Sequence, residues 1–292
     1  MIDSRLSSIQ AADDDIDNDD EDKAEYLAIY AIFKKFIEDY GDMEERWDLL
    51  EEMMALRAEF AFNHAIKGFG MDFEKALELL RNHNDGLTKQ EKEQRDILVA
   101  ALDNLVDFAV AEEFQMSDEL PDDIDLDDEG LLDECDDIFN KYNVIYADVE
   151  NSDIEFAMLI AAGWITYRET TVLTYMTQGD NRVRPWHLAL EGTSYRKSEF
   201  PAWLIPPIEH GCRCYLAEED IGIVGNNNFI TKVEGAAKVK KPDFVNPVFE
   251  ESVCKGGRIF SAAHSYFSVP QKHKKRLKEI AQRIKNKWLT QN

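Results

Sequence analysis

Between Ala24 and Tyr40 the residues Ile29, Phe33, Phe36, Ile37 and Tyr40 fall three or four apart with polar residues between them. That is the period of a helix with one buried stripe. After a break at Gly41 the pattern resumes in two interleaved sets, Trp47, Leu50, Met54 and Leu49, Met53, Leu56, Phe60, which predicts a second long helix. Phe73, Leu77 and Leu80 predict a short third helix, ended by His83-Asn84-Asp85-Gly86. Thr88-Lys89-Gln90-Glu91 has the spacing of a capping box and precedes the stripe Leu98, Ala101, Leu105, Phe108. Ser152-Asp153-Ile154-Glu155 has the same spacing and predicts a helix whose stripe Ile154, Met158, Ala162, Ile165 runs toward Met176. From Thr177 to Leu216 the helical period disappears. Gly179, Gly192, Gly211, Pro185, Pro201, Pro206 and Pro207 punctuate this stretch, and only short strands and turns fit it. Ser268 and Pro270 suit the start of a last helix with Leu277, Ile280, Ala281, Ile284 and Trp288 on one face. The fold class expected is therefore α+β: a helix-rich N-terminal region, a small loop- and strand-rich module, and a C-terminal helix.

Charge divides the chain further. Residues 1–23 carry a dense run of aspartates, expected to be disordered, and a second acidic stretch at 118–140 with Pro121 and Gly130 is expected to be a mobile linker and the main domain border. Between them lies the helical region 24–117; after them come the module, 141–254, and a basic tail, 255–292. The whole chain of 292 residues has 59 acidic against 33 basic side chains, a formal charge of -26, which repels nucleic acid overall. The tail inverts this, with ten basic residues against the single acid Glu279. Its Lys272, Lys274, Lys275, Arg276, Lys278, Arg283, Lys285 and Lys287 either form a solvated helix face or contact the phosphates of double-stranded DNA without sequence preference. No apolar run approaches the roughly 20 residues of a membrane span, and the N-terminus lacks the layout of a signal peptide. A soluble protein made in a cytosol is expected, and four cysteines are too few for a disulfide scaffold at this length.

The candidate chemistry lies between 177 and 216. Asp180 precedes Arg182 and Arg184, either of which can donate two hydrogen bonds to its carboxylate and lock the following loop. Pro185 sets the backbone for a short helical turn bearing His187, and Gly192 can supply the left-handed residue that ends it. On an extended segment His210, Cys212 and Cys214 face one side. With His187 they make a possible tetrahedral zinc set; the alternative is packed, reduced cysteines beside a hydrogen-bonded histidine. A disulfide from one of them to Cys254 is open only outside a reducing cell. Asp180, His187 and Cys212 also contain the groups of a cysteine hydrolase, although no phosphate-binding glycine loop, His-Glu-x-x-His or nucleophile elbow accompanies them and no catalysis is expected.

Three blocks, Asp180-x-Arg182-x-Arg184-Pro185-x-His187, then Gly192, then Pro206-Pro207 closing on Cys212-Arg213-Cys214, resemble the signature of the phage head-morphogenesis family typified by the Mu F protein. The resemblance is strong over about residues 150–220 and weaker outside them. It implies a minor head protein of a tailed phage, associated with portal or major capsid proteins and with packaged DNA, and located in the virion head. It also leaves an injected or secreted effector built on the same module as an alternative.

Overall fold

The computed structural model describes residues 17–38, 43–82, 86–218 and 240–290. It has the α+β architecture: α1 (Asp17–Glu38), α2 (Met43–Phe69), α3 (Phe73–Arg81), α4 (Lys89–Glu119), α5 (Glu129–Asn140), a π-helical turn (Lys141–Tyr146), α6 (Ala147–Trp164), β1 (Val172–Met176), the single-turn α7 (Pro185–Leu188), β2 (Ser194–Arg196), β3 (Tyr215–Glu218) and α8 (Lys274–Leu289). No helix among the described residues is long and apolar enough to cross a membrane.

The helices from α1 to α6 pack as one layer around Phe33, Phe36, Phe62, Leu105 and Phe108, all buried. The cap of α4 forms as expected. The Thr88 hydroxyl accepts from the Glu91 N–H at 3.2 Å and the Glu91 carboxylate accepts from the Thr88 N–H at 2.8 Å. At Gly68 the backbones of α2 and α6 touch: a Cβ there would collide with the backbone of Glu155, so only glycine lets the two helices approach this closely.

Three expected boundaries are corrected. The acidic stretch 118–140 is not a linker throughout. Its second half is α5, whose Cys135, Ile138 and Phe139 form a buried stripe while most of its acids face outward. Phe139 packs against Phe33 at 4.6 Å between ring centroids, and the Tyr30 hydroxyl donates to Asp136. Nor does Ser152 start a helix: it lies exposed inside α6. Upstream residues Ala147, Glu150 and Asn151 extend the buried stripe past the local cap signal. That helix ends at Trp164 rather than running toward Met176. Thr170, Thr171 and Val172, whose branched side chains favour extended backbone, lead into β1 instead. Of the acidic run expected to be disordered, residues 17–23 belong to α1, and 1–16 lie outside the described residues, as do Gly41 and His83 to Asp85.

The sheet is small and antiparallel, in the order β2-β1-β3, with Leu173 opposite Tyr195 and Tyr175 opposite Leu216. Leu173 and Tyr175 point into a second core with Ile160, Trp164, Leu190, Phe200 and Leu204. Helix α6 serves both cores: Ile154 and Met158 face the helical layer, and Ile160 and Trp164 face the sheet.

The module does not extend to 254 as a separate unit. Phe249, Val253, Phe260 and Tyr266 return to the helical core, and Phe260 stacks on Phe108 at 4.4 Å. Asn104, buried in α4, ties this return down: its amide oxygen accepts from the N–H groups of Ile259 (2.8 Å) and Phe260 (3.0 Å), and its amide nitrogen donates to the Phe260 carbonyl (2.9 Å). Helix α8 buries Leu277, Ile280, Ala281 and Ile284, the expected stripe.

The helical core also contains charge. Arg57 on α2 is buried and donates to Glu112 of α4 (2.9 Å) and to Glu150 and Asn151 of α6 (3.1 and 2.9 Å). Glu113, fully buried beside them, has no hydrogen-bond partner in good geometry among the described residues on either carboxylate oxygen. Burial, only partly opposed by Arg57 and Asn143, pushes its carboxyl up to about 7, and burial raises Glu112 as well. A second buried group, His64 of α2, lies 2.5 Å from Glu155 and 3.4 Å from Glu25. Burial opposes its protonation, but the hydrogen bonds to these carboxylates outweigh it and raise the imidazole to about 9.

Candidate metal centre

The three sequence blocks from Asp180, Gly192 and Pro206 meet at one end of the sheet. Pro185 is the first residue of α7, and the turn is closed by the His187 N–H donating to the Arg184 carbonyl at 2.9 Å. Gly192, at φ +80, returns the chain so that its N–H reaches the Tyr175 carbonyl of β1 at 2.9 Å. The Pro206-Pro207 bond is cis, and the turn at Gly211, φ +65, leads through Cys212 and Cys214 into β3.

These turns bring His187, Cys212 and Cys214 together, all buried. The His187 Nδ1 lies 3.3 Å from the Cys214 Sγ and 3.9 Å from the Cys212 Sγ. All three ligand atoms fall within 4.8 Å of one another, so the cluster can hold a metal ion. A tetrahedral ion with ordinary zinc–sulfur and zinc–nitrogen bonds sets its ligand atoms about 3.6 to 3.8 Å apart, and the observed spacing brackets that range. On the far side of the ring, Nε2 lies 3.1 Å from the Glu209 carboxylate. With the proton on Nε2, that contact would leave Nδ1 free toward the sulfurs, the arrangement by which a carboxylate orients a metal-binding imidazole. Glu209 is itself held by the Trp186 indole N–H at 2.9 Å and by Arg184 at 3.5 Å. The hydroxyl of Tyr175, buried beside the two thiols with Cys214 its nearest polar neighbour in that pair, makes no hydrogen bond in good geometry among the described residues.

The thiols are unequal. A hydrogen bond from Cys212, outweighing burial and aided by Tyr175, Arg184 and Arg213, lowers Cys214 below the ordinary thiol value. Burial raises Cys212 well above it. A thiolate at Cys214 is the form a metal takes. All four cysteines are free, so the pairing with Cys254 is absent from the structure.

His210 is corrected as a ligand. Its Nδ1 lies 2.8 Å from Asp153 of α6, and the Gly211 N–H donates to the same carboxylate at 2.8 Å. The left-handed turn at Gly211 breaks the extended geometry that would have set His210 on the side of the cysteines. Its partly exposed ring packs instead against Phe249 and Phe260 at the edge of the helical core. Asp180 is corrected too. It accepts two hydrogen bonds from Arg213, at 2.9 and 2.8 Å, rather than from the guanidinium groups of Arg182 or Arg184. Arg182 gives Asp180 only its backbone N–H (3.0 Å), and Arg184 donates to the His210 carbonyl (2.8 Å). The trio Asp180, His187 and Cys212 is thus not assembled as a hydrolase site; the carboxylate on His187 is Glu209.

The basic tail is partly committed to the protein itself. Arg283 binds Glu51 of α2 (2.9 Å), Lys285 binds Asp107 of α4 (2.8 Å), and Arg276 lies over the Trp47 ring at 4.1 Å. Lys272, Lys274, Lys275, Lys278 and Lys287 remain exposed. No protein-family model, curated protein or solved structure matches this chain.

Proposed function

We propose that this chain is a minor head protein of a tailed phage, of the Mu F-like head-morphogenesis type, made in the bacterial cytoplasm and carried in the virion head against portal or coat protein. The observation that supports this reading is the convergence of the signature. Asp180 with Arg213, Arg184 with the His210 carbonyl, and His187 with Cys214 each join blocks that lie far apart in sequence. Most of these residues are thereby employed in holding one another, as a structural signature requires. Co-expression with the neighbouring portal and coat proteins, followed by sedimentation and mass spectrometry of the particles, tests it. A small fixed number of copies per head is the expected result, and free protein that never enters heads refutes it.

Within that reading the ion held by His187, Cys212 and Cys214 is zinc, chosen by two sulfurs and an imidazole in a buried setting. A bound ion would cross-link α7 to the strand-leading turn, and closing a loop-rich module is chemistry that zinc supplies without redox change. Purified protein is expected to carry one equivalent of zinc by elemental analysis. Cobalt substitution should give the charge-transfer absorption of thiolate ligation, and both signals should fall in Cys214→Ser. Metal-free protein of unchanged thermal stability on chelation would remove the zinc assignment while leaving the head-protein reading standing.

A further inference from the structure

Helix α8 does not lie flush on α4. Between them runs a groove of about 510 Å³ whose floor is apolar, formed by Val110, Ala111, Leu277 and Ala281, with Phe267 and Val269 at one end. Its rim is cationic. Arg258, Lys274, Lys278 and Lys285 line it, and its one acid, Asp107, is already bound by Lys285 at 2.8 Å and approached by Arg258 at 3.7 Å. Lys274 and Lys278 are exposed and make no ion pair among the described residues. On a chain of formal charge -26, a groove of net positive charge over an apolar floor selects an occupant that is both acidic and apolar.

We propose that this groove is the docking site for an acidic amphipathic segment of a partner protein, entering as a helix with apolar side chains on the floor and carboxylates toward Lys274 and Lys278. An amphipathic helix laid in a groove is a recurring mode of recognition, read by anchors at helical spacing. Duplex DNA is the rival for the same lysines. It needs no apolar floor, and its rigid charge, one per about 1.7 Å of axis, would extend past the groove over the acidic surface of α4 and α2. A short peptide places its few charges inside the cationic rim. This assignment does not depend on the identity of the particle or on the metal centre.

The test uses the full chain and fluorescence anisotropy with three labelled probes. The first is a synthetic 16-residue peptide with Leu and Phe at i, i+3, i+4 and i+7 and glutamates elsewhere; the second is a permuted peptide of the same composition; the third is a 20-base-pair duplex. The periodic peptide is expected to bind at least tenfold more tightly than the permuted one. Lys274→Glu with Lys278→Glu should weaken it at least tenfold, with thermal stability unchanged because both side chains are exposed. Val269→Asp, at the apolar edge where Val269 also touches the helical core, should weaken it by a similar factor in protein whose circular dichroism spectrum is unchanged. Equal affinity for the two peptides, or no binding, overturns the proposal. Tighter binding of the duplex, lost in the double lysine variant, would make this a DNA site instead. Displacement of the periodic peptide by a peptide of the chain's own residues 1–16 at lower concentration would assign the groove to a segment of this protein and overturn the partner.

Discussion

Glu113 offers the sharpest test of the buried charge in the helical core. In Glu113→Gln the side chain keeps its shape and loses its charge at a position where neither oxygen has a hydrogen-bond partner in good geometry among the described residues. In the folded protein burial raises this carboxyl from its ordinary 4.5 to about 7. Between those two values the native state keeps a proton that the unfolded chain has released, so stability falls as pH rises from about 4.5 to about 7 and is level above. A shift of this size corresponds to about 3 kcal/mol, an upper figure because the Glu112 carboxyl, also raised by burial, lies beside it. The glutamine variant lacks that loss. It should match the parent near pH 4.5 and exceed it by up to about 3 kcal/mol at pH 8, or about 5 °C in Tm for a chain of this size. Urea unfolding of both proteins from pH 4.5 to 8.5, taken as the variant-minus-parent difference, isolates this group from other titrations. A variant destabilised equally at every pH would show that the Glu113 carboxylate is ionised and usefully paired with Arg57, and the reasoning would fail.

Arg57→Met should destabilise the protein by about 3–5 kcal/mol at pH 8, because it strands Glu112 and Glu150 without their shared cation; the loss should shrink at pH 5, because burial favours the protonated form of Glu112, and urea midpoints at the two pH values check it. His64 titrates in the other window. Its imidazole, raised to about 9, contributes stability that is complete below about 6.5 and is lost as pH rises to about 9, so His64→Gln should flatten the stability profile over that range by about 3 kcal/mol. Asn104→Ala removes three hydrogen bonds and leaves the amides of Ile259 and Phe260 buried without an acceptor; a loss of about 2–4 kcal/mol is expected in thermal unfolding, together with faster amide exchange at both residues.

Local signals in the sequence were reliable where nothing distant competed with them. Thr88 and Glu91 cap α4 from within four residues, and the stripe Leu277, Ile280, Ala281, Ile284 needs only a helix and a surface to lie on. Ser152 has the same local signal as Thr88, yet it is helix interior, because the buried residues on its N-terminal side outweigh one cap. The acidic stretch misled for a related reason: charge density conceals that Cys135, Ile138 and Phe139 share a face. At the site, His187, Cys212 and Cys214 were readable as residue types, but the choice between His187 and His210 turned on the backbone at Gly211. Glu209, Asp153 and Tyr175 carry no motif. A carboxylate three residues before the first cysteine was the only available sign of the imidazole's second partner.

The placement of α8 bears on the order in which the chain acquires its structure. Arg283 reaches Glu51, and Arg81 donates to the Trp288 carbonyl, contacts separated by 232 and 207 residues. Phe62, buried on α2, rests edge-on against Trp288 at 5.0 Å. During synthesis the helices α2 and α3 therefore leave the ribosome with part of their apolar surface uncovered, and the residues that cover it are translated 207 to 232 residues later. Closure of such distant contacts is slow compared with helix formation, so the nascent layer is exposed to chaperones and to aggregation until α8 has emerged. A ribosome stalled before residue 274 should hold a protease-sensitive chain, and emergence of α8 should convert it to a resistant one.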